Sequence, residues 1–349
     1  MTSICAELYV CGTLCLYMCG TLYCSVVSNE ILAVSSGAKL EPQFMEPIEN
    51  VTVVVGREAV LSCVVDNLDD YRVGWLKSDT QTILSLQKRV VTHNTRVSIT
   101  HDEHRTWSLH IKQVKETDRG CYMCQINTPI MKNQVGCLEV LVPPDIMDSE
   151  TSADTTVNEG ENVNLRCRAV GYPQPEITWR REDGRTIRLQ PASGTTIINL
   201  KTGEEVRGEN LTLESVSRQQ MGAYLCIASN QVPPTVSKRI ILSVNFSPVV
   251  SVNEQLIGSP LGKDVTVECR VEAFPHSVNY WQKEEFKEEM LLKGDKYNIR
   301  EDTDSYRVTM VLTIKHFTNE DPGHYKCISS NSLGQAETVV NVYAIETPS

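Results

Sequence analysis

Cysteine is the residue type in this chain whose number and spacing most clearly promise chemistry. Thirteen occur in 349 residues, and five fall in the first 24: Cys5, Cys11, Cys15, Cys19 and Cys24. Thiols bind metals, exchange electrons or form structural bridges, and spacing separates these roles. The five leading cysteines lack the C-x2-C pairs of a zinc site. Cys121-Tyr-Met-Cys124 has redox spacing, but it lies in a stretch that reads as strand. Side chains alternate along a strand, so residues three apart face opposite ways and neither pair nor share a metal. His101-Asp-Glu-His104 is a second candidate ligand set. It falls at an expected hairpin, whereas H-E-x-x-H needs one face of a helix; a solvated turn is expected. The sequence has no nucleophile elbow, phosphate loop or dinucleotide fingerprint. No catalytic residue, metal or cofactor is expected.

The remaining eight cysteines follow a repeat. A cysteine, a tryptophan twelve residues later and a second cysteine preceded by Tyr-x recur three times. The copies are Cys63, Trp75 and Tyr122-Met-Cys124; Cys167, Trp179 and Tyr224-Leu-Cys226; Cys269, Trp281 and Tyr325-Lys-Cys327. Segments such as 60–64, 108–114, 210–213 and 308–314 are short, β-branched and alternate apolar with polar, as half-buried strands do. No segment keeps a helical period. The cysteine, tryptophan, tyrosine, cysteine order is what an immunoglobulin core requires: two facing sheets, a disulfide between them, a tryptophan packed on it, and a tyrosine anchoring a corner. The expected fold is all-β, three tandem immunoglobulin-like β-sandwiches. Each disulfide closes a loop of roughly 60 residues, worth about 4 kcal/mol in the chain-entropy model.

The expected divisions are a signal-like leader over 1–40, a variable-like domain over 41–142, and intermediate-set-like domains over 143–243 and 244–349. The leader is apolar over 8–34 but has Glu7 where positive charge is usual. A membrane span interrupted by Asn29 and Glu30, and an inaccurate start to the gene, are the rival readings. A net charge of −11 argues against nucleic acid as partner. More than half of that charge lies in the third domain, where the run around Glu284, Glu285, Glu288 and Glu289 reads as a solvated edge. In the first domain Arg96 and Asp118 resemble the Arg–Asp pair whose salt bridge closes variable-type immunoglobulin domains; Gln220 replaces the aspartate in the second, so the bridge is expected to be missing there. Prolines at 143, 144 and 248 are expected to stiffen the junctions into a rod.

Cys121 and Cys137 are left over. With a turn at 128–130, residue 121 lies opposite 137, 123 opposite 135, and 125 opposite 133. The two cysteines become outward-facing cross-strand neighbours within reach of a disulfide; two free thiols are the alternative. Asn50-Val-Thr, Asn210-Leu-Thr and Asn245-Phe-Ser are glycan acceptors if the chain is secreted.

Several stretches carry a family resemblance: Val55-Gly-Arg-Glu-Ala-Val-Leu-Ser-Cys63, Tyr71-Arg-Val-Gly-Trp-Leu76, His104-Arg-Thr-Trp-Ser-Leu-His-Ile111 and Asp118-Arg-Gly-Cys-Tyr-Met-Cys-Gln-Ile-Asn127. They resemble the insect lachesins and Dpr-interacting proteins, which are similar to the vertebrate IgLON adhesion proteins. The resemblance covers about residues 43–345. It implies an extracellular, cell-surface adhesion or recognition protein of the secretory pathway, often neuronal, usually held by a lipid anchor. It implies immunoglobulin-domain surface proteins of the Dpr type as partners, or a homodimer through domain 1. The implied contact is the outer face of the C, C′, F and G strands. On that face alternation places Leu76, Met123 and Gln125 outward, with Val135 and Asn133 opposite the last two and Met131 near the turn. Either Ile83 or Leu84 comes from the C′ strand; alternation does not choose. The family turn Asn-Thr-Asp-Pro-Met reads Asn127-Thr-Pro-Ile-Met131 here, so partner choice is not carried over. No hydrophobic tail precedes Ser349, which leaves a secreted form or a longer C-terminus. A homophilic cell-junction component and a soluble, ligand-sequestering ectodomain are the other readings.

Overall fold

The computed structural model describes residues 8–10, 13–18, 21–25, 40–102, 105–187, 205–286 and 289–345. In the leader, strands β1 (Leu8–Val10), β2 (Thr13–Met18) and β3 (Thr21–Ser25) form a small antiparallel sheet. The remainder of the leader, on which its expected role depends, lies outside the described residues.

Domain 1 contains β4 (Gln43–Phe44), β5 (Val51–Val54), β6 (Ala59–Asp66), β7 (Val73–Lys77), β8 (Thr82–Leu86), β9 (Arg89–Val90), β10 (Val97–His101), β11 (Thr106–Ile111), β12 (Gly120–Ile126) and β13 (Lys132–Ile146). One sheet runs β10-β11-β6-β4; the facing sheet runs β13-β12-β7-β8-β9, with β5 parallel to β13. The period of two explains the layering. In β6, Ala59, Leu61, Cys63 and Val65 are buried while Val60 and Ser62 face water. The tryptophan, the Cys63–Cys124 bridge and the tyrosine all lie in one core cluster.

Domain 2 contains β14 (Thr155–Asn158), β15 (Val163–Arg166), β16 (Ala169–Tyr172), β17 (Glu176–Arg181), β18 (Val206–Arg207), β19 (Asn210–Leu213), β20 (Gly222–Ser229) and β21 (Val236–Val252). Domain 3 contains β22 (Leu256–Pro260), β23 (Val265–Phe274), β24 (Val278–Lys283), β25 (Tyr297–Asp304), β26 (Arg307–Ile314), β27 (Gly323–Asn331) and β28 (Gly334–Ile345). Each has its own core around Trp179 with Cys167–Cys226, or Trp281 with Cys269–Cys327. The bridges close sequence separations of 61, 59 and 58 residues across the three domains. The protein is therefore all-β, built of three immunoglobulin-like sandwiches.

The same corner recurs in each. Tyr122, Tyr224 and Tyr325 donate their hydroxyls to the carbonyls of Asp118, Gln220 and Asp321 at 2.7, 2.8 and 2.8 Å. Burial raises the pKa of all three phenols, which keeps them protonated donors. A cation two residues after each tryptophan is a fourth recurrent marker that sequence reading missed. Lys77 and Lys283 donate to the carbonyls of Thr117 and Glu320, and Arg181 to those of Gln220 and Met221. W-x-[K/R]-x-[D/E] was visible in the sequence at Trp75, Trp179 and Trp281.

Candidate recognition face

The outward face of the β13-β12-β7-β8 sheet collects most of the partner-contact residues expected in domain 1. Strand pairing arranges them in rows. Met123 lies opposite both Leu76 and Val135, and Leu76 lies opposite Ile83. Ile83, Leu76, Met123 and Val135 therefore form one apolar row across four strands, about 15 Å at the usual strand spacing. Ile83 and Val135 are 47% and 45% exposed, while Leu76 and Met123 between them are half-buried. The next row is Leu86, Gly74, Gln125 and Asn133. The row on the other side holds Cys121 opposite Cys137, joined by a disulfide. Met131, in the loop beyond β12, is exposed and touches the Gln125 side chain.

Leu84 is a correction. It is 7% exposed and belongs to the domain 1 core, so it does not line the face. Trp75 pairs with Ser85 and Leu76 with Ile83, which leaves Leu84 as the extra residue of a β-bulge. A bulge breaks the period of two. Leu84 and Ser85 both turn inward, so of Ile83 and Leu84 it is Ile83 that is exposed to solvent. Two exposed residues were not singled out from sequence: Leu86, beyond the bulge, and Ile130, 85% exposed in the loop. Ile130 occupies the turn where the sequence departs from the family pattern, and that departure was the available signal.

The salt-bridge residues lie at the base of the same domain. Arg96 grips Asp118 with two hydrogen bonds, at 2.5 and 2.8 Å. Burial acts to raise the Asp118 carboxyl, but the Arg96 side chain and the Lys115 backbone N–H outweigh it and hold its pKa below the usual carboxylate value. Domain 3 uses Lys296 with Asp321. In domain 2 Gln220 accepts instead from the Ser217 backbone, and Arg181 pairs with Asp183. Of the sequon asparagines, Asn50 and Asn210 are exposed and Asn245 is half-buried. Asn50 Oδ1 accepts from the Cys137 backbone N–H at 2.8 Å, so this acceptor sits at the β13 edge of the face.

Among the described residues no arrangement favours catalysis; Glu103 and His104 of the candidate ligand set lie outside them. His101 stacks on Trp107 with ring centroids 3.8 Å apart, and Asp102 accepts from the N–H groups of Arg105 and Thr106 in the hairpin. Glu58, His110 and Thr100 form a carboxylate–imidazole–hydroxyl line at 3.2 and 2.7 Å, but it runs across strands on the flat outer face of the opposite sheet. A face of aliphatic, thioether and amide side chains offers contact area and hydrogen bonds, with no nucleophile or base to drive chemistry.

The chain is similar to known immunoglobulin-domain proteins. A sequence profile for the immunoglobulin I-set domain matches residues 42–139 and 249–343, and one for the immunoglobulin domain matches 143–230. Lachesin of Drosophila melanogaster is 32% identical over 304 residues, covering 84% of this chain and 79% of lachesin. The limbic system-associated membrane protein of Rattus norvegicus is 31% identical, covering 83% of this chain and 78% of that protein. Among solved structures, a chain in the crystal structure of Dpr2 Ig1-Ig2 in complex with DIP-Theta Ig1-Ig3 is 49% identical with a TM-score of 0.72, covering 87% of this chain and 99% of that one. A chain in the structure of Dpr11 IG1 bound to DIP-gamma is 55% identical with a TM-score of 0.52, covering 59% of this chain and 99% of that one.

Proposed function

The chain belongs to the immunoglobulin I-set family that includes the lachesins, and from that membership we propose that its first domain recognises another immunoglobulin-domain protein at the cell surface. Immunoglobulin-domain adhesion and recognition at the cell surface is the activity of the family, and the chain is not an enzyme. The finer reading is heterophilic recognition through the β7, β8, β12 and β13 face, serving neuronal recognition and synaptic specificity. The observation that carries it is the Ile83–Leu76–Met123–Val135 row. An unbroken apolar row with exposed ends is costly in a lone domain and useful under a partner. The heterophilic reading is supported by solved relatives, about half identical to this chain, found in complexes of Dpr with DIP proteins.

Asn50, Asn210 and Asn245 are read as glycan acceptors; Asn210 lies on β19 and Asn245 on β21, neither of them a strand of this face. Ile83→Asp is the test. Burying an unpaired carboxylate under a partner should reduce affinity at least 100-fold in surface plasmon resonance while the melting temperature holds. Leu84→Asp, one residue along, should unfold domain 1 instead. Full binding by folded Ile83→Asp would remove this face from the account.

A further inference from the structure

At each boundary between domains the last strand of one sandwich continues as the first strand of the next. β13 leaves domain 1 and pairs with β16 of domain 2; β21 leaves domain 2 and pairs with β23 of domain 3. Both crossings contain a two-residue interruption of the ladder. Pairing stops at Val142–Tyr172 and resumes at Asp145–Val170; it stops at Phe246–Phe274 and resumes at Val249–Glu272. The skipped residues are Pro143-Pro144 and Ser247-Pro248. Two residues without ladder bonds are where a strand can bend, so each crossing is a potential hinge.

An asparagine spans each hinge. Asn230, in the turn after β20, donates both N–H groups of its amide: one to the Val142 carbonyl at 2.8 Å, the other to the Pro173 carbonyl at 2.7 Å. Its Oδ1 accepts from the Val232 backbone. Asn331, at the end of β27, repeats the arrangement, donating to the carbonyls of Phe246 and Pro275, both at 3.1 Å. Its Oδ1 accepts from the N–H groups of Leu333 and Gly334. The accepting carbonyl on the crossing strand is in both cases that of the last paired residue before the interruption. A primary amide is the side chain that offers two donors and an acceptor at this size. The sequence repeats the device as Cys226-Ile-Ala-Ser-Asn230 and Cys327-Ile-Ser-Ser-Asn331. Domain 1 has Thr128 at the equivalent position.

Each crossing is also packed. Arg119 stacks over Tyr172 at 3.5 Å across the first. At the second, Arg218 lies over Phe246 at 4.0 Å and pairs with Glu272, and Tyr306 meets Phe246 edge-on.

We propose that Asn230 and Asn331 are positioning residues that lock the two crossings, so that the three domains present the domain 1 face as one rigid body. The presentation role rests on the recognition reading above; the rigidity does not. Pro143-Pro144 has both φ angles fixed and Ser247-Pro248 only one, so the second crossing depends more on its asparagine.

The test uses the whole chain carrying fluorophores on non-canonical amino acids at Lys88, Glu161 or Glu301, read in pairs by single-molecule energy transfer. The 88–161 pair reports the first crossing and 161–301 the second. Asn→Asp keeps the Oδ acceptor and removes both donors; Asn→Ala removes all three bonds without adding charge. Wild type should give one narrow population for each pair. Asn331→Asp and Asn331→Ala should at least double the width for 161–301 alone, and the Asn230 variants should broaden 88–161 alone, by less. The variants should melt several degrees lower than wild type, since buried carbonyls lose their donors, yet stay folded at the temperature of the measurement; the affinity of the soluble chain for any domain 1 partner should stay within twofold. A broad wild-type distribution, or folded variants as narrow as wild type, would overturn the proposal. Loss of partner binding by Ile83→Asp reads the other claim separately.

Discussion

Asp118 shows how much a single side chain decides. Its carboxylate takes two bonds from Arg96 and one from the Lys115 backbone, while its own carbonyl receives the Tyr122 hydroxyl. Asp118→Asn keeps the shape and loses the charge-assisted pair, and should cost domain 1 roughly 2 kcal/mol in urea unfolding. Acid should mimic it. A carboxyl whose folded pKa is depressed contributes stability that is fully present above its unfolded value, near 3.8, and is lost as pH falls through the folded pKa. The gap between wild type and Asp118→Asn should therefore be constant down to about pH 5 and close as pH drops towards 2. A gap independent of pH would assign the effect to something other than this charge. The Arg96–Asp118 placement was legible because both residues sit at fixed offsets from the strand and cysteine markers. Ile83 and Leu84 were not resolved, since alternation identifies a face only while the period of two holds. The bulge at Leu84 is set by closure against β7, which a local pattern does not contain.

At the scale of elements, the β12–β13 hairpin is the part most fully written in the sequence. Choosing a turn at 128–130 fixes every cross-strand partner, and the structure has Cys121 opposite Cys137, Met123 opposite Val135 and Gln125 opposite Asn133. The outer disulfide closes a separation of 16 residues, against 61 for the core bridge. The chain-entropy model gives about 3 and about 4 kcal/mol for loops of these lengths. Replacing both outer cysteines with valine should thus lower domain 1 stability by up to about 3 kcal/mol without unfolding it. Non-reducing peptide mapping should recover a Cys121–Cys137 peptide, and a Cys121–Cys124 link would contradict the strand assignment. The recurrent Lys77, Arg181 and Lys283 were present in the sequence beside each tryptophan but gave no cue of their own. A buried cation reads as surface charge until the carbonyl that accepts it is known.

For the whole molecule, three domains were countable because each core repeats the same cysteine, tryptophan and tyrosine. The expectation of stiff junctions rested on proline. The structure adds continuous strands and the paired asparagines, whose partners lie 88 and 57 residues away for Asn230 and 85 and 56 for Asn331. Contacts so distant in sequence are invisible to local pattern, although the Cys-Ile-x-Ser-Asn repeat was there to be seen. What the whole molecule does turns on its exposed row in domain 1. Val135→Thr turns Asn133-Gln-Val into a glycan acceptor on β13, at the end of the row next to the Met123–Val135 pair, where a glycan would stand against that face. The measurement is binding of the secreted chain, with and without this glycan, to a panel of extracellular immunoglobulin-domain proteins and to itself. The parent chain and the unglycosylated Val135→Thr/Asn133→Gln control should bind at least one immunoglobulin-domain partner, and the glycosylated chain, folded and equally stable, should bind none. Undiminished binding by the glycosylated chain would contradict recognition through this face.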